Sequence, residues 1–192
     1  GIVFTGNTKS VARQNVSSNN LGAGFVVSEQ AEPLLEENMC TNNGSGISFY
    51  DFAKGTARGN RCSENENGIL LLGQSQPLLE GNITTENSQS GIYYSDKAGG
   101  TARHNDCSRN GIGIAVLEQS QPKLEQNTCN DNKVSGIGFG GSSGGSAIQN
   151  ECSRNTGGIT VSDMAQPLLE GNICTENYFG IFIESLANPE LR

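Results

Sequence analysis

The sequence has no tryptophan, a single histidine and only 6% aromatic residues in 192 positions. Its longest apolar runs, Ile69 to Leu72 and Ile114 to Leu117, fall far short of the roughly 20 residues that cross a bilayer, so no membrane span is expected. No basic segment followed by an apolar one opens the chain, so no signal peptide is visible in it. Basic residues are scarce: 12 Lys and Arg against 20 Asp and Glu give a net charge of −8. That balance argues against a nucleic acid, whose phosphates need clustered cations. The Leu-, Ala-, Glu- and Lys-rich stretches of a helical bundle are missing as well.

What fills the chain instead is 26 glycines and 22 asparagines, together a quarter of all residues. They recur at a fixed period. The pattern Asn-x-(Cys/Ser/Thr)-(Ser/Thr/Asn)-x-Asn opens at Asn15, Asn38, Asn60, Asn82, Asn105, Asn127, Asn150 and Asn172, with spacings of 22 or 23. After each closing Asn comes Gly and an apolar residue, as in Gly46-Ile47, Gly91-Ile92 and Gly136-Ile137, and a second apolar residue follows two positions later. Apolar residues at period two mark a strand with one buried face.

No segment has helical periodicity, and one such rung cannot bury its apolar side alone. Stacking identical rungs in register buries it continuously and pairs their backbones. The fold class expected is all-β: one parallel β-solenoid domain over residues 1–192, of about eight rungs. A two-rung period of about 45 residues overlies the first, seen in the column Ala12, Leu35, Ala57, Leu79, Ala102, Leu124, Ala147, Leu169. Large beside small lets stacked layers interdigitate without voids.

The Asn ladder, the Gly-Ile-x-Val strand and the 22–23-residue rung resemble the right-handed parallel β-helix repeat of pectate-lyase-like proteins and related carbohydrate-binding proteins and sugar hydrolases. The resemblance covers essentially the whole chain. It implies a single-stranded right-handed β-helix, and for function it implies either a carbohydrate-active domain (lyase, hydrolase or epimerase) or a non-catalytic binding module. It also implies a secreted or cell-surface location, whereas unpaired cysteines lean toward a reducing compartment.

The columns carry further expectations. The Asn column is expected to cap a turn, with amides bonded rung to rung and Asn itself taking the left-handed conformation. Asn15, Asn43 and Asn82 match the N-glycosylation pattern, two of them inside the ladder, where chance explains the match. Cys40, Cys62, Cys107, Cys129, Cys152 and Cys174 share one column with Ser17 and Thr84. They are read as reduced, buried thiols, because a straight column in register neither meets disulfide geometry nor converges on zinc. Apart from Ile148, the column Arg13, Glu36, Arg58, Glu80, Arg103, Glu125, Ile148, Glu170 alternates in charge, and Glu86, Arg109, Asp131, Arg154, Glu176 form a second alternating set. Opposite charges on neighbouring strands are mildly stabilising.

Catalysis requires departures from the repeat, and the sequence has few. No Ser-His-Asp set, phosphate-binding loop or metal-spaced His pair occurs. His104 falls in a column of Gln, Glu and Gly and reads as a bend residue, and Gly136 to Gly145 reads as a relaxed turn. No catalytic residue, metal or cofactor is therefore expected. The candidate ligand-binding residues are Tyr50, Asp51, Tyr93 and Asp96, aromatic faces beside carboxylates in neighbouring columns, with Phe182 and Glu184 further along. The Ser/Thr column from Ser18 to Thr175 lacks the second parallel Thr column that an ice-binding surface needs.

The leading functional expectation is a non-catalytic scaffold or interaction module, the alternative a carbohydrate-active or carbohydrate-binding domain. Its partner would be a polysaccharide or another protein. Gly1-Ile2 opens in mid-strand and Ala187 to Leu191 starts a further rung, so the chain reads as part of a longer array, with end-to-end self-association an expectation for exposed ends.

Overall fold

A computed structural model describes all 192 residues. The chain winds through 24 short strands and no helix. A full rung contributes one strand to each of three faces, as Val11–Arg13, Val16–Ser18 and Ala23–Val27 do in the first, although two rungs meet the third face only through isolated bridges. Sheet 1 stacks nine strands from Ile2–Phe4 to Phe179–Ile183, and sheet 2 stacks nine from Val11–Arg13 to Glu190–Leu191. Nine strands in each of these two sheets make the solenoid slightly longer than the eight rungs counted from sequence. Sheet 3 has four strands, a gap bridged at Asp106 and Thr128, and two more strands.

Every pairing is parallel and in register, so that Ile47 meets Ile69, Ile69 meets Ile92 and Ile92 meets Ile114. The same register stacks Leu35 on Ala57, Ala57 on Leu79 and Leu79 on Ala102. These columns form a single core of 31 buried residues. It includes Cys40, Cys62, Cys107, Cys129 and Cys152, all free, while Cys174, near the last rung, is only half-buried.

The glycines of the internal Gly-Ile pairs, Gly46 to Gly158, have a steric reason. A Cβ on Gly68 would stand 2.5 Å from the Gly91 carbonyl oxygen and 2.8 Å from Thr84 Cβ. One on Gly46 would stand 2.5 Å from the Gly68 oxygen and 2.7 Å from Cys62 Cβ. Here the backbone of one rung lies against the next, and no side chain fits.

The asparagines form two ladders. In the first, Asn60 Nδ2 donates to Asn82 Oδ1 at 3.0 Å and Asn82 Nδ2 to Asn105 Oδ1 at 2.9 Å, each Oδ1 also accepting the backbone N–H of the preceding Asn. The second runs through Asn20, Asn43, Asn65, Asn87 and Asn110 in the same manner. All three glycosylation-pattern asparagines thus lie in ladders, and the Asn43 and Asn82 amides are buried and bonded.

The left-handed conformation expected of the ladder residues falls one position earlier. Gln14, Glu37, His104, Gln126 and Gln149 have φ between 53° and 56°, and Gly59, Gly81 and Gly171 complete the column. Glu86, Arg109, Asp131, Arg154 and Glu176 do the same before the second ladder. One left-handed residue between extended ones turns the chain sharply at a cost of about 1–2 kcal/mol for a residue with a Cβ. The Asn that follows ties the turn to its neighbours and offsets that strain. His104 is accordingly a bend residue.

The alternating charge column resolves into pairs. Glu36 is gripped from both sides, by Arg13 and Arg58, each at 2.5 Å, and Arg103 reaches Glu80 at 2.7 Å. Lys123, in the same strand, takes Glu125. In the second set Arg154 holds Asp131 with two hydrogen bonds, 2.8 and 2.9 Å. Gly136 and Gly138 belong to the strand Ser135–Phe139, which corrects the reading of Gly136 to Gly145 as one turn.

Candidate functional site

The outward column of sheet 1 changes character midway. In register it reads Val3, Val26, Ser48, Leu70, Tyr93, Ala115, Gly138, Thr160 and Phe182. Ala115 and Gly138 remove side-chain volume from two successive rungs, between Tyr93 above and Thr160 below. The result is a trough of about 450 Å³. Ala115 and Gly138 form its floor, Ile112 and Val134 one wall, Leu117 and Ser162 the other. The Ser135 hydroxyl lies 3.0 Å from the Thr160 hydroxyl, which fixes both at the lower end. A largely apolar concavity with a few placed polar groups is the usual form of a small-ligand site.

Beside the trough runs a third left-handed column: Glu29, Asp51, Gly73, Asp96, Glu118, Gly141, Asp163 and Ser185. Its carboxylates have a structural task. Asp51 Oδ2 accepts the Glu29 N–H at 3.1 Å, Asp96 Oδ2 the Gly73 N–H at 2.7 Å, and Asp163 Oδ2 the Gly141 N–H at 2.8 Å. Glu29 and Glu118 do the same for Gly6 and Asp96. Each acid pins the turn of the rung before it. No more than two acids stand in succession before a glycine or serine intervenes, which limits repulsion between neighbours.

The four residues expected to bind ligand are therefore distributed. Tyr93 lines the trough. Asp51 and Asp96 belong to the acidic column, and Asp96 borders a separate polar hollow with Lys97 and Glu118. Tyr50 stands in the next column, its N–H bonded to Val27 O, two rungs from Tyr93. Phe182 does share the Tyr93 column, below Thr160. Ala115, Gly138 and Thr160 were not among the expected residues. Their signal is present in the sequence, as two small residues in succession in one outward column.

A third hollow, about 670 Å³, lies near the first rungs, with Lys9, Glu32, Lys54, Gln74 and Gln76 among its lining. Lys9 and Glu32 pair across it at 3.0 Å, and both are partly exposed.

Acids elsewhere are also engaged. The Arg58 guanidinium beside Glu36 holds that carboxyl below its ordinary value, with Arg13 assisting, and Arg154 does the same for Asp131. Neighbouring thiols and burial push Cys62 up, and burial pushes Cys129 up. These thiols are therefore protonated at neutral pH.

The chain is similar over 95% of its length to the A-module of the Azotobacter vinelandii mannuronan C-5 epimerase AlgE4, with a TM-score of 0.75 and 17% identity. It spans 57% of that module, little more than half. The A-module of AlgE6 from the same organism gives a TM-score of 0.48 at 15% identity, covering 92% of this chain and 64% of that one. No curated protein matches the sequence.

Residues 82–191 match the family described as "Periplasmic copper-binding protein (NosD)". The donors present do not assemble a copper site. No three His, Cys, Asp or Glu side chains converge. The thiols, the soft ligands suited to copper(I), stand in single file inside the core. The sole histidine turns a bend.

Residues 1–128 match the family described as "Right handed beta helix region". With parallel strands stacked in register through nine turns, the chain belongs to the right-handed β-helix family and, in its second half, to the NosD family.

Proposed function

We propose that this chain is a non-catalytic interaction module that holds a glycan in the trough between Tyr93 and Thr160. One observation carries the reading: two successive outward positions of sheet 1, Ala115 and Gly138, have given up side-chain volume while the acids beside them are bound to backbone amides. A general acid or base must have a carboxyl free to exchange a proton with the reacting group. Here Asp96, Glu118 and Asp163 spend an oxygen on the turn of the preceding rung, which suits holding better than chemistry. The fold shared with an epimerase module and the resemblance to carbohydrate-binding β-helices support a sugar as the occupant. The match to a family described as periplasmic supports a location outside the cytoplasm.

The experiment is to fill the trough. On Gly138 a Cβ meets only Thr160 Oγ1, at 3.4 Å, so Gly138→Leu projects into the trough without disturbing the stack. Glycan binding, measured by calorimetry, falls at least tenfold in this variant while the melting temperature is retained. Unchanged binding in a folded variant refutes the site.

A second reading, a scaffold with no small ligand, is favoured by the repetition of the remaining surface. It predicts no glycan binding in the unmodified chain and no response to Gly138→Leu.

A further inference from the structure

The electrostatics of the trough point to a more specific occupant: we propose that it takes an uncharged glycan and rejects uronate polymers and other polyanions. The inference rests on the binding reading above and adds the chemical class of the ligand.

A polyanion needs cations at its site, and none of the residues lining the trough is Lys, Arg or His. Most of the basic residues are committed elsewhere. Of the 12 Lys and Arg in the chain, eight (Lys9, Arg13, Arg58, Arg103, Arg109, Lys123, Arg154 and Arg192) are held in ion pairs. The one charged residue lining the trough is negative. Asp163 lines it directly, and Asp96 and Glu118 continue the same acidic column alongside.

Each of these carboxylates accepts a neutral backbone N–H, which leaves its full negative charge in place. With a net charge of −8 on the whole chain, the field over this face repels an approaching carboxylate. A uronate carboxyl laid here would face like charge at short range with no counterion.

What the trough does supply suits hydroxyl-rich, uncharged rings. Ser90, Ser135, Thr160, Ser162 and Gln89 offer donors and acceptors around it, and the Ala115–Gly138 floor and the Tyr93 ring offer apolar contact for the C–H faces of a sugar. From Tyr93 to Thr160 are three rung steps, about 14 Å along the axis at roughly 4.8 Å per step. That is the span of a short oligosaccharide lying parallel to the axis.

The test compares matched chains by calorimetry at 20 and 300 mM NaCl: cellohexaose and mannohexaose as neutral probes, oligomannuronate and oligogalacturonate of the same length as anionic ones. At least one neutral hexamer binds, with little salt dependence, and both uronates bind at least tenfold more weakly at low salt. Gly138→Leu, with Ala115→Leu as a second trough-filling variant, abolishes the neutral signal. Gly138→Arg places a cation on the floor and raises uronate affinity relative to the unmodified chain. Uronate binding as tight as neutral binding, and lost on filling the trough, overturns the uncharged-ligand inference and leaves the binding module standing. No binding of any probe, before or after filling, removes the binding reading and this inference together.

Discussion

Asn82→Ala tests whether the ladder holds the rungs together. Asn82 is fully buried, as is Asn60, and Asn105 is 1% exposed. Its Oδ1 accepts from Asn60 N and Asn60 Nδ2, both at 3.0 Å, and its Nδ2 donates to Ala57 O and Asn105 Oδ1, both at 2.9 Å. The substitution removes all four bonds. It leaves the Asn60 N–H and one of its amide hydrogens buried without an acceptor, and the Ala57 carbonyl without its side-chain donor. Net hydrogen bonds are worth about 0.5–1.5 kcal/mol each, and a buried orphaned group costs about 1–3 kcal/mol. Allowing for partial relaxation, the expected loss is about 3–5 kcal/mol, a large part of the roughly 5–15 kcal/mol that stabilises a typical domain. Asn7→Ala, at an exposed position outside the ladders, stays within about 0.5 kcal/mol.

Urea unfolding followed by circular dichroism measures the difference. Amide hydrogen exchange tests its cause, because the Asn60 N–H is expected to lose protection before amides several rungs away. The double variant Asn60→Ala and Asn82→Ala is expected to cost clearly less than the sum of the singles, since the two residues share bonds. A loss under about 1 kcal/mol for Asn82→Ala, or strict additivity, refutes a load shared rung to rung.

Three further outcomes are expected. Thiol titration of the unfolded, unreduced protein returns six free thiols, whereas in the folded protein Cys174, the half-buried member, reacts first and the other five slowly; fast reaction of Cys62 or Cys129 contradicts their burial. Gly68→Ala is strongly destabilising because its Cβ meets backbone of the next rung at 2.5 Å, while Gly138→Ala is tolerated; similar melting temperatures for the two disprove the steric account. Glu36 has a carboxyl held below its ordinary value of 4.5 by Arg58 and Arg13, so its contribution is full above about that pH and is lost as pH falls through the lower folded value. The stability gap between the unmodified chain and Glu36→Gln should therefore shrink on acidification from pH 6 to pH 2.5, and a constant gap rules the pairing out.

The solenoid was legible in the sequence because its determinants are periodic. A rung has no core of its own, so the columns Ile47, Ile69, Ile92 and Ala57, Leu79, Ala102 must repeat at the rung length, and they do. The thiol column was legible for the same reason, with Ser17 and Thr84 filling it by volume. Of the four residues expected to bind ligand, Tyr93 lines the trough and the other three lie outside it.

Other features required the tertiary structure, because they depend on what each column faces. The left-handed residue sits just before each ladder Asn, and spacing alone cannot separate a turn residue from the neighbour that braces it. Alternating charge in a column does not reveal that Glu36 takes two arginines while Glu125 turns to Lys123 in its own strand, since side-chain reach decides between neighbours at nearly equal distance. Asp51 and Asp96 were expected as ligand-binding carboxylates beside aromatic faces, and their left-handed turns bring them onto amides of the preceding rung. Ala115 and Gly138 were not among the residues singled out from sequence. Only stacking in register puts their missing volume side by side, between Tyr93 and Thr160, and a cavity is a property of neighbours in space rather than of any residue in the chain.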